Sequence, residues 1–420
     1  MDFNIDLWLN LVIRWFHVMA GIMWIGTSFF FIWLDNVLQP LPEGGKGHVG
    51  KAWLFHGGGF YQVDKALTAP QSILNSLHWF KWEAYLTWLS GFALLIVVYW
   101  WHAGAYMVDP SVAALSPLQA VGVGVATLIV GWLVYDSLWR WLGVRQPTLA
   151  LVLSFLLYVA AAWALTHLLS GRAAFIMSGA LLGTLMAGNV AMVIMPNQRK
   201  MYAAATAGGE VDPRLSYQAK RRSTHNNYLT LPVIFMMISN HFSMTWGHAM
   251  NWLILVVMFL VGIGIDHFLN SRDKGRKGIA WVALALAFAG LLAMIAFTAV
   301  PAPTVATPTA TAGDTMAGKA AVDTAVTPVA FAAVQGIFKQ RCVECHSLHP
   351  SSKLFAQAPL GVKFDTPIEI KQHAAKIKLM TIDTQAMPLG NLTQMTAAER
   401  ATLAAWLAQG AAIPAAAAAQ

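Results

Sequence analysis

The first 300 residues alternate between long apolar runs and short polar connectors. Eight runs reach spanning length, at 7–34, 84–101, 118–138, 148–169, 173–195, 228–246, 250–269 and 279–300. About 20 apolar residues in a helix cross the hydrocarbon core of a bilayer. The pattern therefore predicts an all-α, polytopic membrane bundle of about eight helices, with the lipid bilayer as its first partner. The sixth run is the least continuous, because Asn240 and His241 interrupt it. After Val300 the texture changes to Ala, Thr and Pro, the composition of an extended tether, over 301–330. A small soluble domain is expected over 331–412, opening with a helix at 331–341 and closing with an amphipathic one at 396–409. Thr396 and Glu399 have the spacing of a capping box at the start of that closing helix. An Ala-rich tail, 413–420, follows.

Composition supports this division. The chain is 57% hydrophobic and 11% charged, too apolar for an ordinary soluble protein. Its net charge of +8 would suit nucleic acid, but the placement of the basic residues argues for a different origin. The loops at 35–83, 139–147, 196–227 and 270–278 hold sixteen Lys and Arg, whereas the opposite loops of the membrane part hold only Arg172. An asymmetry of that size orients a membrane protein with its basic loops inside. No nucleic-acid partner is expected. The N-terminus carries Asp2 and Asp6 where a cleavable signal would carry Lys or Arg, so no signal peptide is expected.

The most specific chemistry lies in Cys342-Val343-Glu344-Cys345-His346, which holds the only two cysteines of the chain. A C-x-x-C-H run is the attachment site of a c-type haem: two thiols reach the two vinyl groups of one porphyrin, and the His becomes an axial iron ligand. A zinc site would need a second ligand pair, and none is near. One covalent haem c is expected, with iron held by His346 and a sixth ligand. Met387, before Pro388 in a loop, is the best candidate, and Met380 and Met395 are alternatives. Resemblance to c-type cytochromes places this domain on the outer face of a bacterial inner membrane. Eight spans then put the N-terminus outside as well, in agreement with the charge asymmetry.

Two polar constellations sit in the membrane part. In the first run Arg14, His17, Gly21, Trp24 and Ser28 share one helix face. A His and an Arg are costly toward lipid, so this face should look into the bundle. It reads equally as a b-haem site, with His17 as ligand and Arg14 near a propionate, or as a buried imidazole bonded across helices. His241 is the preferred second ligand, with His102 and His167 as rivals. The other constellation lies inside: His56-Gly57-Gly58-Gly59, then His78, Trp79, Lys81 and Trp82, then His225-Asn226-Asn227. Three glycines let backbone N–H groups approach a planar or anionic ligand. An esterase oxyanion hole is excluded because no G-x-S-x-G elbow exists. An interfacial aromatic belt explains Trp79 and Trp82 but not the clustered His, Asn and Lys. In the fifth run Gly179 and Gly183 fit close helix packing, and Asn189 is polar inside a span.

With these stretches in view, the chain resembles the membrane-bound urate oxidases (urate hydroxylases) that carry a C-terminal cytochrome c domain. Residues 14–26, 56–61, 77–85, 188–198 and 225–242 carry the likeness, together with the C-x-x-C-H domain. The resemblance implies oxidation of urate to 5-hydroxyisourate in purine breakdown. Electrons would pass to the cytochrome domain and then to a respiratory acceptor, either a soluble cytochrome c or a terminal oxidase. His56, Lys81 and the Gly57–Gly59 backbone are then candidates for the urate anion. His78 or His225 would accept a proton or ligate an inner haem, and Asn226 and Asn227 would bond the purine edge. Two rivals of other classes are a membrane cytochrome fed by quinol or a partner dehydrogenase, and a haem-binding scaffold without substrate.

Overall fold

The computed structural model describes residues 5–39, 48–66, 77–110, 112–298 and 329–414, apart from 353, 356 and 357. The chain divides into two units, Met1–Phe297 and Thr298–Gln420. The tether up to 328 and the tail from 415 lie outside the described residues.

The larger unit is built on α1 (Ile5–Val37), α2 (Trp82–Leu94, prolonged by a wide π turn, Leu95–Trp100), α3 (Pro117–Trp141), α4 (Pro147–Leu168), α5 (Gly171–Asn189), α6 (Met195–Thr206), α7 (Pro213–Ile238), α8 (Asn251–Asp273) and α9 (Lys277–Phe297). A second π turn, Val190–Ile194, joins α5 to α6 in one continuous rod. The starts are dictated locally. Ser116 precedes Pro117 and caps through Gln119, Ser170 accepts from the Ala173 N–H, and Asp212 precedes Pro213 and accepts from the Arg214 N–H. A short polar acceptor before a proline fills the orphan donors of a first helical turn.

Among the described residues seven segments are long and apolar enough to cross a membrane: Trp8–Val37, Trp82–Trp100, Pro117–Trp141, Pro147–Leu168, Gly171–Thr206, Asn251–Asp273 and Lys277–Phe297. The expected sixth span, 228–246, is corrected in its bounds. Its helix begins at Pro213, ends at Ile238, and is followed by a 3₁₀ turn, Ser239–His241. Contacts along α7 nevertheless run the full length of the α5–α6 rod in antiparallel order. Arg172 bonds Asn240, Gly179 meets Met236, the Asn226 amide reaches the Met186 carbonyl, and Asn197 reaches the Leu215 carbonyl. On its other side α7 runs against α8, with Pro232 on Gly262 and Asn227 on Asn270.

The all-α expectation also needs correction. Strands β1 (His48–His56) and β2 (Gly59–Ala66) form an antiparallel hairpin inside the stretch read as an inner loop. Gly57 and Gly58 make its two-residue turn with φ of 59° and 85°, conformations that glycine adopts at little cost. Phe55 faces Phe60 across the strands with ring centroids 4.9 Å apart. Lys65 on β2 and Lys220 on α7 both pair with Asp35 at the end of α1. The hairpin and the start of α7 therefore lie at the same end of the bundle.

The smaller unit holds α10 (Phe331–Arg341), α11 (Pro367–Gln372) and α12 (Ala397–Ala408), with short turns between them. Its core is Phe331, Val334, Phe338, Phe364, Ile370, Met395, Leu403 and Trp406. Thr396 and Glu399 form the expected capping box.

Candidate functional site

Near the hairpin end, α3, α5 and α7 enclose a largely buried polar network, whose Asp136 also pairs outward with the exposed Arg140. Arg222, 2% exposed, donates from Nη2 to Asp136 Oδ1 at 2.7 Å and from Nη1 to Asn189 Oδ1 at 3.1 Å. Asn189 Nδ2 donates to Asn226 Oδ1 at 2.8 Å and to the Tyr135 hydroxyl at 3.1 Å. That hydroxyl bonds His225 Nδ1 at 2.8 Å, and the His225 ring lies on Trp139 with centroids 4.1 Å apart. Gly188 makes room for the Trp132 ring, since a Cβ there would sit 2.5 Å from it. Each charge and amide has partners, as a water-poor interior demands.

Of the predicted inner residues, the structure brings His225 and Asn226 together and places Asn227 on the adjoining face. Asn226 is fully engaged, its oxygen by Asn189 and its nitrogen by the Met186 carbonyl, so it ties helices rather than offering an edge to a purine. Asn227 accepts from Asn270 Nδ2 at 2.8 Å. His225 keeps Nε2 without a hydrogen bond among the described residues, while Tyr135 fixes Nδ1. His56 is exposed at the end of β1, and His78 is exposed against Phe80. Lys81 immediately precedes α2 and lies over Trp82, 5.6 Å from its centroid. No hydrogen bond or ring contact among the described residues joins these three to His225. Gly57 and Gly58 are accounted for by the turn.

Arg222 was counted with the basic inner loop, and the structure moves it into the bundle as half of a buried pair. Its neighbour Arg221 bonds the Gly143 carbonyl and lies over Trp139 and Tyr217. Asp136, Tyr135 and Arg222 were not singled out as site residues. An acidic residue near the end of a predicted span and an arginine at the matching depth are the signal that would have paired them.

The Arg14/His17 face packs on α2. His17 Nδ1 bonds the Thr87 carbonyl at 3.0 Å and Ser90 Oγ at 3.1 Å, and its ring rests on Gly91. Thr87 also lies against Gly21. Arg14 is exposed and bonds Asn10, and His241 is exposed on its own turn. These residues fit an imidazole bonded across helices and do not frame a haem cradle. At that same end a second polar group, Arg172–Asn240–Tyr99, ties α5 to the turn after α7.

In the smaller unit the C-x-x-C-H residues follow α10 in a tight turn, with both the Cys345 and His346 N–H groups directed to the Cys342 carbonyl. Both cysteines are free. Burial, aided by the neighbouring Cys345, pushes the Cys342 thiol up to about 12, and burial pushes Cys345 up as well. His346 donates from Nδ1 to the Val362 carbonyl at 2.9 Å, and burial pushes its imidazole below the ordinary histidine range. A carbonyl on Nδ1 fixes the ring and leaves Nε2 outside that bond. Met387 is half-buried, its backbone held by the Met380 carbonyl and by Arg400. Met395 is 4% exposed within the apolar core, which argues for packing rather than ligation. Among the described residues no three His, Cys, Asp or Glu side chains converge on a point, while two thiols followed by a His are the donor set of a covalently attached haem. The residues present fit such a group.

Residues 4–299 match the family described as urate oxidase N-terminal. The chain belongs to that family. The match covers the whole described membrane unit and ends before the tether. No curated protein and no solved structure matches the chain. Family membership makes the larger unit a urate oxidase-related membrane protein, and the buried α3–α5–α7 network is its most elaborate polar feature.

Proposed function

We propose that the chain is a membrane-bound urate oxidase. It converts urate to 5-hydroxyisourate and passes the electrons to a c-type haem on its C-terminal unit, then to a respiratory acceptor such as a soluble cytochrome c or a terminal oxidase. The observation that carries this reading is His346, oriented by Val362 beside two free cysteines, in a chain whose other unit belongs to the urate oxidase N-terminal family. Cys342 and Cys345 would hold the macrocycle, His346 would ligate the iron, and Met387 is the proposed sixth ligand. A haem bound there supplies one-electron acceptance at a potential raised by the thioether.

The urate monoanion loses two electrons and a proton, and water then adds at C5. His225 is the proposed proton acceptor, because Tyr135 holds Nδ1 and Nε2 is left available. Arg222 lies over the ring of Tyr135, 4.9 Å from its centroid, and so steadies the hydroxyl that holds His225. Lys81, His56 and His78, at the exposed end of the unit, would draw the anion in. We further propose that α7 is the eighth crossing, with the hairpin end cytoplasmic and both termini periplasmic in a bacterial inner membrane. Its polar residues are internal, which is why hydropathy undervalues it.

The test uses membrane vesicles of both orientations with added urate, following 5-hydroxyisourate by mass spectrometry. Inside-out vesicles are expected to form product faster, and His225→Gln should slow them while leaving haem reduction by dithionite intact. Equal rates from right-side-out vesicles lacking a urate transporter would overturn the inward site. Absence of product in either would overturn the substrate.

A further inference from the structure

Asp266 lies on the face of α8 that packs against α7 and is 0% exposed. Neither carboxyl oxygen makes a hydrogen bond of ordinary geometry, and the Leu231 backbone N–H is the one donor that influences it. No cation balances it. Arg222 is committed to Asp136 and Asn189, Lys65 and Lys220 to Asp35, and Arg272 to Asp273. An unpaired carboxylate in such a place costs several kcal/mol, and the group avoids that cost by keeping its proton. One turn along α8, Asn270 donates to Asn227 Oδ1 and accepts from Asn36 Nδ2 at 3.3 Å. The Asn227 amide nitrogen is buried as well and has no acceptor. A buried donor and a buried acid on facing helices, each lacking a partner among the described residues and linked through Asn270, are what bound water would satisfy.

The surroundings favour exchange rather than a sealed acid. Pro232 has no N–H to offer the Tyr228 carbonyl, so the α7 ladder is interrupted at this level. The amides of Asn227, Asn270 and Asn36 lead from this level to the end of α1, next to Asp35. Beside Asp266, His267 bonds the Tyr228 hydroxyl at 2.9 Å. His267 also lines an open groove of about 440 Å³ between α8 and α9, together with Gly264, Ala283, Ala287 and Gly290. The titratable groups brought by the packed elements are few. Tyr228 on α7 is coupled electrostatically to Asp266, Asp35 on α1 is neutralised by two lysines, and Tyr158 on α4 bonds Met236. After Lys277 no titratable side chain occurs on α9.

We propose that Asp266, with Asn227 and Asn270, forms an intramembrane proton-binding site whose acid is neutral at rest and exchanges its proton through water with the Asp35 end of the bundle. The site is independent of the substrate assigned above.

The test uses the purified full-length protein in lipid nanodiscs. Infrared spectra should contain a protonated-carboxyl band that shifts in D₂O and vanishes at high pH. Asp266→Asn should lack the band, and Asp266→Glu should retain it at a shifted frequency. Dicyclohexylcarbodiimide, which adds to protonated carboxyls in apolar settings, should modify the wild-type peptide containing Asp266. Its rate should fall about tenfold per pH unit once the proton is lost. Mapping on the wild type needs no variant, so a misfolded Asp266→Asn protein leaves the result readable. A band that neither shifts in D₂O nor titrates, or an Asp266 peptide unmodified at every pH, would overturn the proposal in favour of a fixed structural acid.

Discussion

Removing Asp136 should destabilise the membrane unit by a large and specific amount. The Arg222 side chain is 3% exposed and that of Asp136 is 15% exposed, so Asp136→Ala leaves a guanidinium buried without its counter-ion. Breaking a buried pair from one side costs about 3–5 kcal/mol. Two weaker partners survive, Asn189 Oδ1 at 3.1 Å and the residue 136 carbonyl at 3.4 Å. They place the expected loss near the low end, at about 3 kcal/mol. For a unit of about 300 residues that corresponds to a thermal midpoint lower by roughly 5 °C. Circular dichroism in detergent reads it. The double variant Asp136→Leu with Arg222→Met removes both charges and should recover most of the loss, because an apolar replacement of a buried pair is close to neutral. A single variant within about 2 °C of wild type, or a double variant no better than the single, would refute the reasoning.

Other outcomes follow from particular contacts. Gly262→Ala places a methyl 2.7 Å from the Pro232 ring and 2.9 Å from its nitrogen, where backbone cannot yield, and should cost about 1–3 kcal/mol by the same assay. Met387→Ala should leave haem covalently attached but alter its spectrum and lower its potential, whereas Cys342→Ser with Cys345→Ser should abolish covalent haem staining. An unchanged potential in Met387→Ala would assign the ligand elsewhere. Partial burial tends to raise the Glu399 carboxyl, but the Thr396 N–H and Arg341 outweigh it and hold it below its ordinary range. A depressed acid stabilises fully above its unfolded value, about 4.3, and the contribution is lost as pH falls through the folded one. Acid unfolding of the smaller unit should therefore shift to higher pH in Glu399→Gln, read by circular dichroism.

The spans were legible where helices present apolar residues on every side, as in 118–138 and 279–300. The helix around His225 was undervalued because hydropathy scores Arg222, Asn226, Asn227 and Thr230 as polar, although each is buried and bonded to its surroundings. The pairing of Asp136 with Arg222 joins positions far apart in the chain, and local pattern does not encode such a distance. Three glycines in a row announced unusual backbone, but turn and ligand cradle look alike until the flanking register is known. The Cys342–His346 run can be read as a haem-attachment motif without the fold, because it is contained in five adjacent residues. The carbonyl that orients His346 comes from Val362, sixteen residues onward, and only the fold supplies it.

Anaerobic titration of the purified protein with urate, followed by haem absorbance, tests the central claim most directly. Oxidation of one urate releases two electrons, so each urate should reduce two haem equivalents, with 5-hydroxyisourate as product and dithionite defining full reduction. A haem that dithionite reduces and urate does not would contradict the account.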